Sequence, residues 1–536
     1  MNDVNLVWHG YNYFPYELEF ARREVEAVLG RTPREVKDGL QISQAKYSNT
    51  ELERLTYFHE AVLPSGERVV TNQARLEASA RKRSVVKEMK LDGDLEVSGR
   101  QRTRYSAHGL HEYKGKFNPQ VVRAIGNMLA LPRGANILDV CTGSGTTLLE
   151  CAHAGWNAIG IDLNPLAVFI SNAKLQAVHT LPDELERASN HLVKKLNALS
   201  NLPFDVAWTD KRMRQLAGDN WRRELPNFEY LASWFPMSVL AQFAIISCEM
   251  NSKQVKALRP VFEVIMSDMS RTVSLQDPGD LRMRRRKEPQ PNYPLIPLFT
   301  AAVSKRVETI LRARRTTVPI EGAQQAVVAD NRESLSWMTQ LPEFRDGFNA
   351  GITSPPYATA LPYIDTQRLS LCLLDLVEAD GLTQLEKKLI GTREISGSKR
   401  RELEATLSAE PAAELPATVT GLCDRMLELA TLPDNGFRRK NMPALVYRYF
   451  RDMARVLQNV REVMRSSGRF ALVVGRNRTT LGGEDLVIDT PHLLADIAVE
   501  SGWELESLLE LETYQRFEVH QRNSINTESL VVLRRV

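Results

Sequence analysis

Cysteine is scarce in this chain and follows no pattern. Cys141, Cys151, Cys248, Cys372 and Cys423 are scattered over 536 residues, form no C-x-x-C pair and have no histidine at metal-ligand spacing. That argues against a zinc site and a disulfide framework, and for a reducing, cytoplasmic compartment without a bound metal. No apolar run approaches the roughly eighteen residues that span a bilayer, so no membrane association is expected. The opening Met1-Asn2-Asp3 does not begin the charged-then-apolar order of a secretory leader. Neither sign of charge dominates: 69 Lys and Arg stand against 66 Asp and Glu, a net +3. Any surface for nucleic acid must therefore come from local clustering. Internal repeats and low-complexity tracts are missing too.

What is present is material for two or three domains. The clearest unit runs from Asn136 to Asp162. Asn136–Val140 reads as a short apolar strand with a carboxylate, Asp139, near its end. Cys141-Thr142-Gly143-Ser144-Gly145-Thr146-Thr147 is a glycine-rich turn, Leu148–Ala154 a helix, and Asn157–Ile161 a second strand ending at Asp162. This is a βαβ unit of about thirty residues with an acid after the second strand. The glycines allow close approach of a ligand to the backbone, and Asp162 is placed to accept hydrogen bonds from ribose hydroxyls. The turn lacks the third glycine of the dinucleotide fingerprint and the Lys-Ser/Thr of a P-loop. Asp139 would oppose a pyrophosphate but suit a cation, so the pattern favours S-adenosylmethionine; a ligand-free structural turn is the bland alternative.

A second stretch, Ser354-Pro355-Pro356-Tyr357, follows an apolar lead. Two prolines cannot continue a helix or a central strand. The expected geometry is a strand that stops abruptly, displaying Ser354, the Pro355 carbonyl and the Tyr357 ring at its C-terminal edge. Open α/β sheets bind ligands at that edge, although most such triplets are plain turns or linkers. Tyr363, Asp365 and Arg368 come next and either line a pocket or start a helix.

Elsewhere, residues 1–100 form an N-terminal extension: an aromatic lead from Trp8 to Tyr16, then an amphipathic helix, Glu17–Leu29. Packing against the main domain is its favoured role over binding. The loop 104–119 is dense in His, Tyr and Lys and precedes a helix started by Pro119. Residues 176–325 read as a helical insert, with helices at Leu181–Leu199, Phe228–Met250 and Val255–Val273. It ends in a basic cluster in which Arg282, Arg284, Arg285 and Arg286 suit a phosphate backbone or simply face solvent. A strand, Ala326–Asn331, carries Asp330, and helical Glu333–Leu341 follows. The small, basic segment Ile390–Arg401, with Arg393, Lys399 and Arg400, suits a mobile DNA-facing loop or a linker. Helix Ala444–Ser466, strand Arg469–Val474, a turn at Gly475–Asn477, helix Pro491–Gly502 and a final hairpin (Leu505–Thr513, Ser529–Arg534) complete the chain.

With both motifs in place, the chain resembles the S-adenosylmethionine-dependent DNA amino-methyltransferases that carry Ser-Pro-Pro-Tyr. Asp139, Thr142, Gly143, Ser144, Gly145 and Thr146 resemble the family's first cofactor motif, Asp162 and Asn164 its second, and Asp330 its third. The loop containing His111, Tyr113, Lys116 and Phe117 resembles its extra cofactor-proximal motif, and Ser354, Pro355, Pro356 and Tyr357 its catalytic motif. The resemblance implies a Rossmann-like α/β sheet over 101–175 and 326–536, interrupted by the insert, which is a candidate for target recognition. It implies methyl transfer to the exocyclic amine of a base flipped out of double-stranded DNA. Serine at the head of the motif is more typical of N4-cytosine enzymes, aspartate or asparagine of N6-adenine enzymes. A restriction or phage-defence setting, with partner proteins, is implied by the family alone. The insert departs from the family pattern by splitting the second cofactor element from the third. An RNA or protein amide methyltransferase, or a non-catalytic subunit of a defence complex, are the rival functions.

Overall fold

The computed structural model describes residues 3–43, 46–80, 101–199, 210–219, 221–277, 279–280, 283–287, 293–317, 319–358, 363–409, 415–433, 435–512 and 524–536. Arg282 of the basic cluster lies outside them. The N-terminal strands are β1 (Asp3–Trp8), β2 (Arg34–Val36), β3 (Gly39–Ser43), β4 (Phe58–Val62) and β5 (Arg68–Val70). They form an antiparallel sheet in the order β2-β3-β1-β4-β5, with helix Pro15–Leu29 between β1 and β2. The extension is thus a small folded unit. Its short strands were missed because none shows a sustained alternation.

The main sheet contains β6 (Asn136–Asp139), β7 (Asn157–Asp162), β8 (Gln324–Val328), β9 (Phe348–Thr353), β10 (Met464–Leu481), β11 (Glu484–Ile488), β12 (Trp503–Glu512) and β13 (Ser524–Arg535). Its order is β12-β13-β10-β9-β6-β7-β8, with β11 paired to β10. Pairing is parallel from β10 through β9, β6 and β7 to β8, and antiparallel among β10, β11, β12 and β13. Chain order reverses between β6 and β9, which makes their carboxyl ends the switch point of the sheet.

Both faces of this sheet are buried, and the two-residue period of the strands decides which core each side chain enters. Ile137, Ala158, Ala350, Ile352, Ala471 and Val532 belong to one core, with helices Pro119–Met128, Thr146–Ala154 and Pro165–His179. Leu138, Ile159, Phe470, Leu472 and Val531 belong to the other, under helices Met442–Val463 and Thr490–Glu500. The Rossmann-like α/β expectation is met.

Between β7 and β8 the regular elements are helical, as expected, but with different boundaries. Phe228–Met250 is two helices, Phe228–Trp234 and Met237–Met250. Pro236 supplies no N–H and holds Phe235 extended, which stops the first. Val255–Val273 is a 3₁₀ turn and two helices, Arg259–Asp268 and Ser270–Val273. A 22-residue helix, Leu295–Thr316, was hidden behind the proline-rich lead. Glu333–Leu341 is not an α-helix; Ser336–Gln340 and Pro342–Phe344 are 3₁₀ turns cut short by Pro342. The Gly475–Asn477 turn does not exist. β10 runs through it, paired to β13 at Gly475 and to both β13 and β11 at Asn477, and absorbs it as a register shift against β13.

The N-terminal unit is fastened to the main domain by a fully buried carboxyl. Glu24 accepts hydrogen bonds from the Thr56 N–H (2.9 Å) and hydroxyl (2.6 Å) and from the Asn127 amide of helix Pro119–Met128. Arg54 completes the joint by donating to the Asn127 carbonyl oxygen at 2.7 Å and to the Leu131 carbonyl at 2.9 Å. Deleting an acceptor of this kind leaves buried donors unpaired, at about 1–3 kcal/mol. Glu24→Ala is accordingly expected to lower the denaturant midpoint. It should also admit protease between residues 30 and 60 before the main domain opens, read by limited proteolysis.

Candidate active site

The loop before helix Pro119–Met128 is held from beneath by Glu150, a carboxylate without solvent access on helix Thr146–Ala154. Glu150 accepts hydrogen bonds from Tyr105 (2.9 Å), His108 (2.7 Å) and Arg123 (2.8 Å). Burial holds the His108 pKa well below its ordinary value, helped by Lys116, Lys174 and Arg123. The neutral ring donates and Arg123 carries the compensating charge. Lys116 bonds the Thr103 and His108 carbonyls, each at 3.2 Å, and burial brings its pKa down to about 7.

Above this base lies a cavity of about 730 Å³ at the switch point of the sheet. Tyr113, Lys116, Phe117, Gly143, Asp162, Asn164, Asp330, Ser354, Pro355, Pro356 and Tyr357 all line it. Two motifs nearly two hundred residues apart in sequence therefore meet, because β6 and β9 are neighbours in the sheet. The Asp162 carboxylate is fixed by the N–H groups of Gly143 and Asn164, each at 2.9 Å. Gly143 has φ 49°, and a Cβ there would lie 3.4 Å from the Tyr113 ring. Glycine thus keeps the turn open and the aromatic wall close. Asp330 sits two residues past β8 and is engaged by Arg332 through contacts of 2.8 and 2.7 Å. Although burial opposes it, these bonds hold the Asp330 pKa below the usual range.

β9 ends at Thr353, where the prolines begin, as the sequence predicts. The Tyr357 hydroxyl donates to Glu528 of β13 at 2.5 Å. Its ring lies against Gly475, where an added Cβ would come within 3.0 Å. The glycine of the nonexistent turn is thus a flat seat for this ring.

His111, Asp139, Thr142, Ser144, Gly145 and Thr146 are absent from the cavity wall. His111 points into the helical segment, 3.2 Å from the Ser267 hydroxyl. Asp139 lies below the site, accepting from the Thr353 hydroxyl (2.7 Å) and the Cys141 N–H (3.1 Å), so it ties the two motif-bearing strands together. Thr142 and Ser144 are buried. The Thr142 N–H donates to the Ile161 carbonyl (3.0 Å), and the Ser144 carbonyl accepts from Lys174 (2.7 Å). Gly145, at φ 73°, packs on Ser171, and Thr146 opens the helix. These residues build the turn.

The basic candidates divide as well. Arg284 is exposed beside Asp280, but Arg285 donates to the Ser233 carbonyl and lies over Trp234. Arg286 is tied to the Gln276 and Thr272 carbonyls at 2.7 and 2.6 Å and lies over Tyr293. It locks its own loop. The DNA-facing loop is not one throughout: Ser396 caps a helix, Gly397–Ser408, that carries Lys399 and Arg400. There Lys399 pairs with Glu402 and Arg400 with Glu404; Arg393 is exposed before the helix. Asp365 and Arg368 pair with each other at 2.8 Å within helix Tyr363–Leu373, off the wall. Residues the sequence did not single out do line the cavity: Asn12, Phe14, Tyr16 and Glu17 from the N-terminal unit, Arg332, Lys388 and Glu528. The aromatic lead was the available signal for the first group. Among the described residues no cluster suits a metal ion, and no helix is long and apolar enough to cross a membrane.

No protein-family model matches the chain. Type II methyltransferase M.AvaI of Nostoc sp. is 25% identical over 412 residues, covering 74% of this chain and 79% of that protein. The chain is related to the type II methyltransferases. M.BsoBI of Geobacillus stearothermophilus is 22% identical over 512 residues, 90% of this chain and 92% of its own. M.MjaII of Methanocaldococcus jannaschii reaches 45% identity over 94 residues, only 16% of this chain and 17% of that relative.

The site also carries a pH signature. Burial raises the Asp139 pKa to about 6, against the bonds from Thr353, Thr147 and Cys141, and Asp162 adds to the rise. A carboxyl with a raised folded-state pKa stabilises fully below its unfolded value and loses that contribution as pH rises through the folded value. Asp139→Asn should therefore gain melting temperature relative to wild type as pH rises from about 4 to about 6. A difference that stays flat across that range would contradict the assignment.

Proposed function

We propose that the chain is a site-specific DNA methyltransferase that moves a methyl group from S-adenosylmethionine to the exocyclic amine of an extruded base, with cytosine N4 as the favoured target. The supporting observation is the single cavity that joins the Gly143–Asp162 turn to Ser354–Tyr357. Relatedness to type II methyltransferases over most of the chain points the same way. A restriction-modification or phage-defence setting, with partner proteins, belongs to this proposal.

The cavity suits the cofactor chemically. Asp162 is aligned for ribose hydroxyls, Tyr113 and Phe117 offer aromatic surface, and the lining carboxylates suit a cation. When bound, the cofactor supplies an electrophilic methyl on a sulfonium. Amino groups conjugated to a base ring are poor nucleophiles. Ser354 Oγ and the Pro355 carbonyl accept the two N–H bonds, draw the nitrogen toward tetrahedral geometry and aim its lone pair. Tyr357 stacks on the base, which has to leave the duplex to arrive there. Its hydroxyl bond to Glu528 fixes the ring plane. The amine gains a C–N bond and loses one proton to water, and no covalent enzyme intermediate is needed. Ser354 at the head of the motif, where adenine enzymes more often have Asp or Asn, supports cytosine.

The test is transfer from labelled S-adenosylmethionine to mixed genomic DNA, read by nucleoside mass spectrometry. N4-methylcytosine is the expected product, and N6-methyladenine would move the target base. Cofactor binding without transfer to DNA would overturn the reading in favour of RNA or protein. Ser354→Ala and Tyr357→Ala should lose at least about a hundredfold in kcat while cofactor affinity by calorimetry persists. Asp162→Ala should weaken that affinity.

A further inference from the structure

One wall of the cavity comes from a part of the chain that carries neither motif. Helix Pro15–Leu29 starts at Phe14, and Phe14, Tyr16 and Glu17 face the cavity from this first turn. Glu17 is buried from bulk solvent yet lines the cavity. One of its oxygens accepts the Phe14 N–H at 2.9 Å, which caps the start of the helix. Capping asks for neither burial nor acidity, since glutamine serves as well. An acid here is costly: burial raises the Glu17 pKa to about 7, with Glu77 adding to the rise and the bonds from Phe14 and Gln101 opposing it. Near neutral pH this side chain therefore offers a hydroxyl as well as an acceptor.

The wall and the catalytic motif face one cavity. Tyr16 and Glu17 line it together with Ser354, Tyr357 and Glu528, and Glu528 accepts from the Tyr357 hydroxyl. A base stacked on Tyr357 and held through its amine by Ser354 and Pro355 keeps one more polar atom on that edge, the ring nitrogen beside the amine. In cytosine (N3) and adenine (N1) that atom is an acceptor; in thymine and guanine it carries a hydrogen.

We propose that Glu17 is a specificity-determining residue that donates a hydrogen bond to the ring nitrogen beside the target amine. The N-terminal unit is then part of the active site. This inference rests on the methyltransferase reading above.

The experiment uses the full chain and the DNA sequence it is found to modify. Glu17→Leu should lose about tenfold to a hundredfold in kcat/KM for DNA, with calorimetric affinity for S-adenosylmethionine unchanged. Glu17→Gln, which keeps both the cap and a donor, should stay within about threefold of wild type. In parallel, the target base is replaced by its deaza analogue with C–H at the ring nitrogen (3-deazacytosine or 1-deazaadenine). Wild type should lose as much on this substrate as Glu17→Leu loses on the natural one, and the two changes together should lose no more. Losses that multiply, or a Glu17→Leu protein as active as wild type, overturn the inference and leave the methyltransferase reading intact. A role in capping alone would lower the melting temperature of Glu17→Leu without this substrate coupling. A wild type that moves no methyl to DNA overturns both.

Discussion

A carboxylate sealed from water underlies the whole site. Glu150 has to be compensated where it stands, because an unpaired buried charge costs several kcal/mol. The compensation draws in Arg123 from the next helix and Tyr105 and His108 from the loop. Lys116 is then pinned to the His108 carbonyl. Tyr113 and Phe117 inherit their places from this arrangement. The loop thus owes its shape to electrostatic necessity beneath it more than to contacts on its exposed side.

The same economy governs the opposite wall. β6 and β9 are adjacent and parallel, so the two motifs end side by side, and Asp139 bonds across to Thr353 at their tips. β10 lies beside β9 and contributes Gly475, and β13 lies beside β10 and contributes Glu528. Each strand outward from the switch point thus adds one more constraint on Tyr357. Burial raises the pKa of Asp139 and Asp162 to about 6 and of Glu17 to about 7, and also raises that of Glu528. The site is therefore less negative near neutrality than its residue types suggest.

Much of the sheet was legible because its signals are local. A strand, a glycine turn and a terminal acid name β6 and β7, and a double proline marks the end of β9. Gly143, Asp162 and Ser354–Tyr357 followed from those marks, whereas Tyr113, Lys116, Phe117, Asn164 and Asp330 entered the candidate set through the family resemblance. What was illegible depends on distant partners. Whether Asp139 faces a ligand or a neighbouring strand is decided by Thr353, and whether Arg286 meets phosphate or its own loop is decided by Gln276 and Thr272. Gly475 looked like a turn because glycine weakens a strand, yet its pairing with Glu528 of β13 and the Tyr357 ring against it place a glycine there. The N-terminal contribution was hidden for the same reason: Glu17 becomes a wall only when its unit docks on Asn127.

The cavity wall draws on residues from Asn12 to Glu528, almost the full span of the polypeptide. During synthesis the N-terminal unit and the glycine turn emerge first, but β10 cannot complete its pairing until β13 leaves the ribosome. Contacts of such sequence separation form late and slowly. A nascent chain therefore holds an unfinished pocket until β13 has emerged and paired with β10.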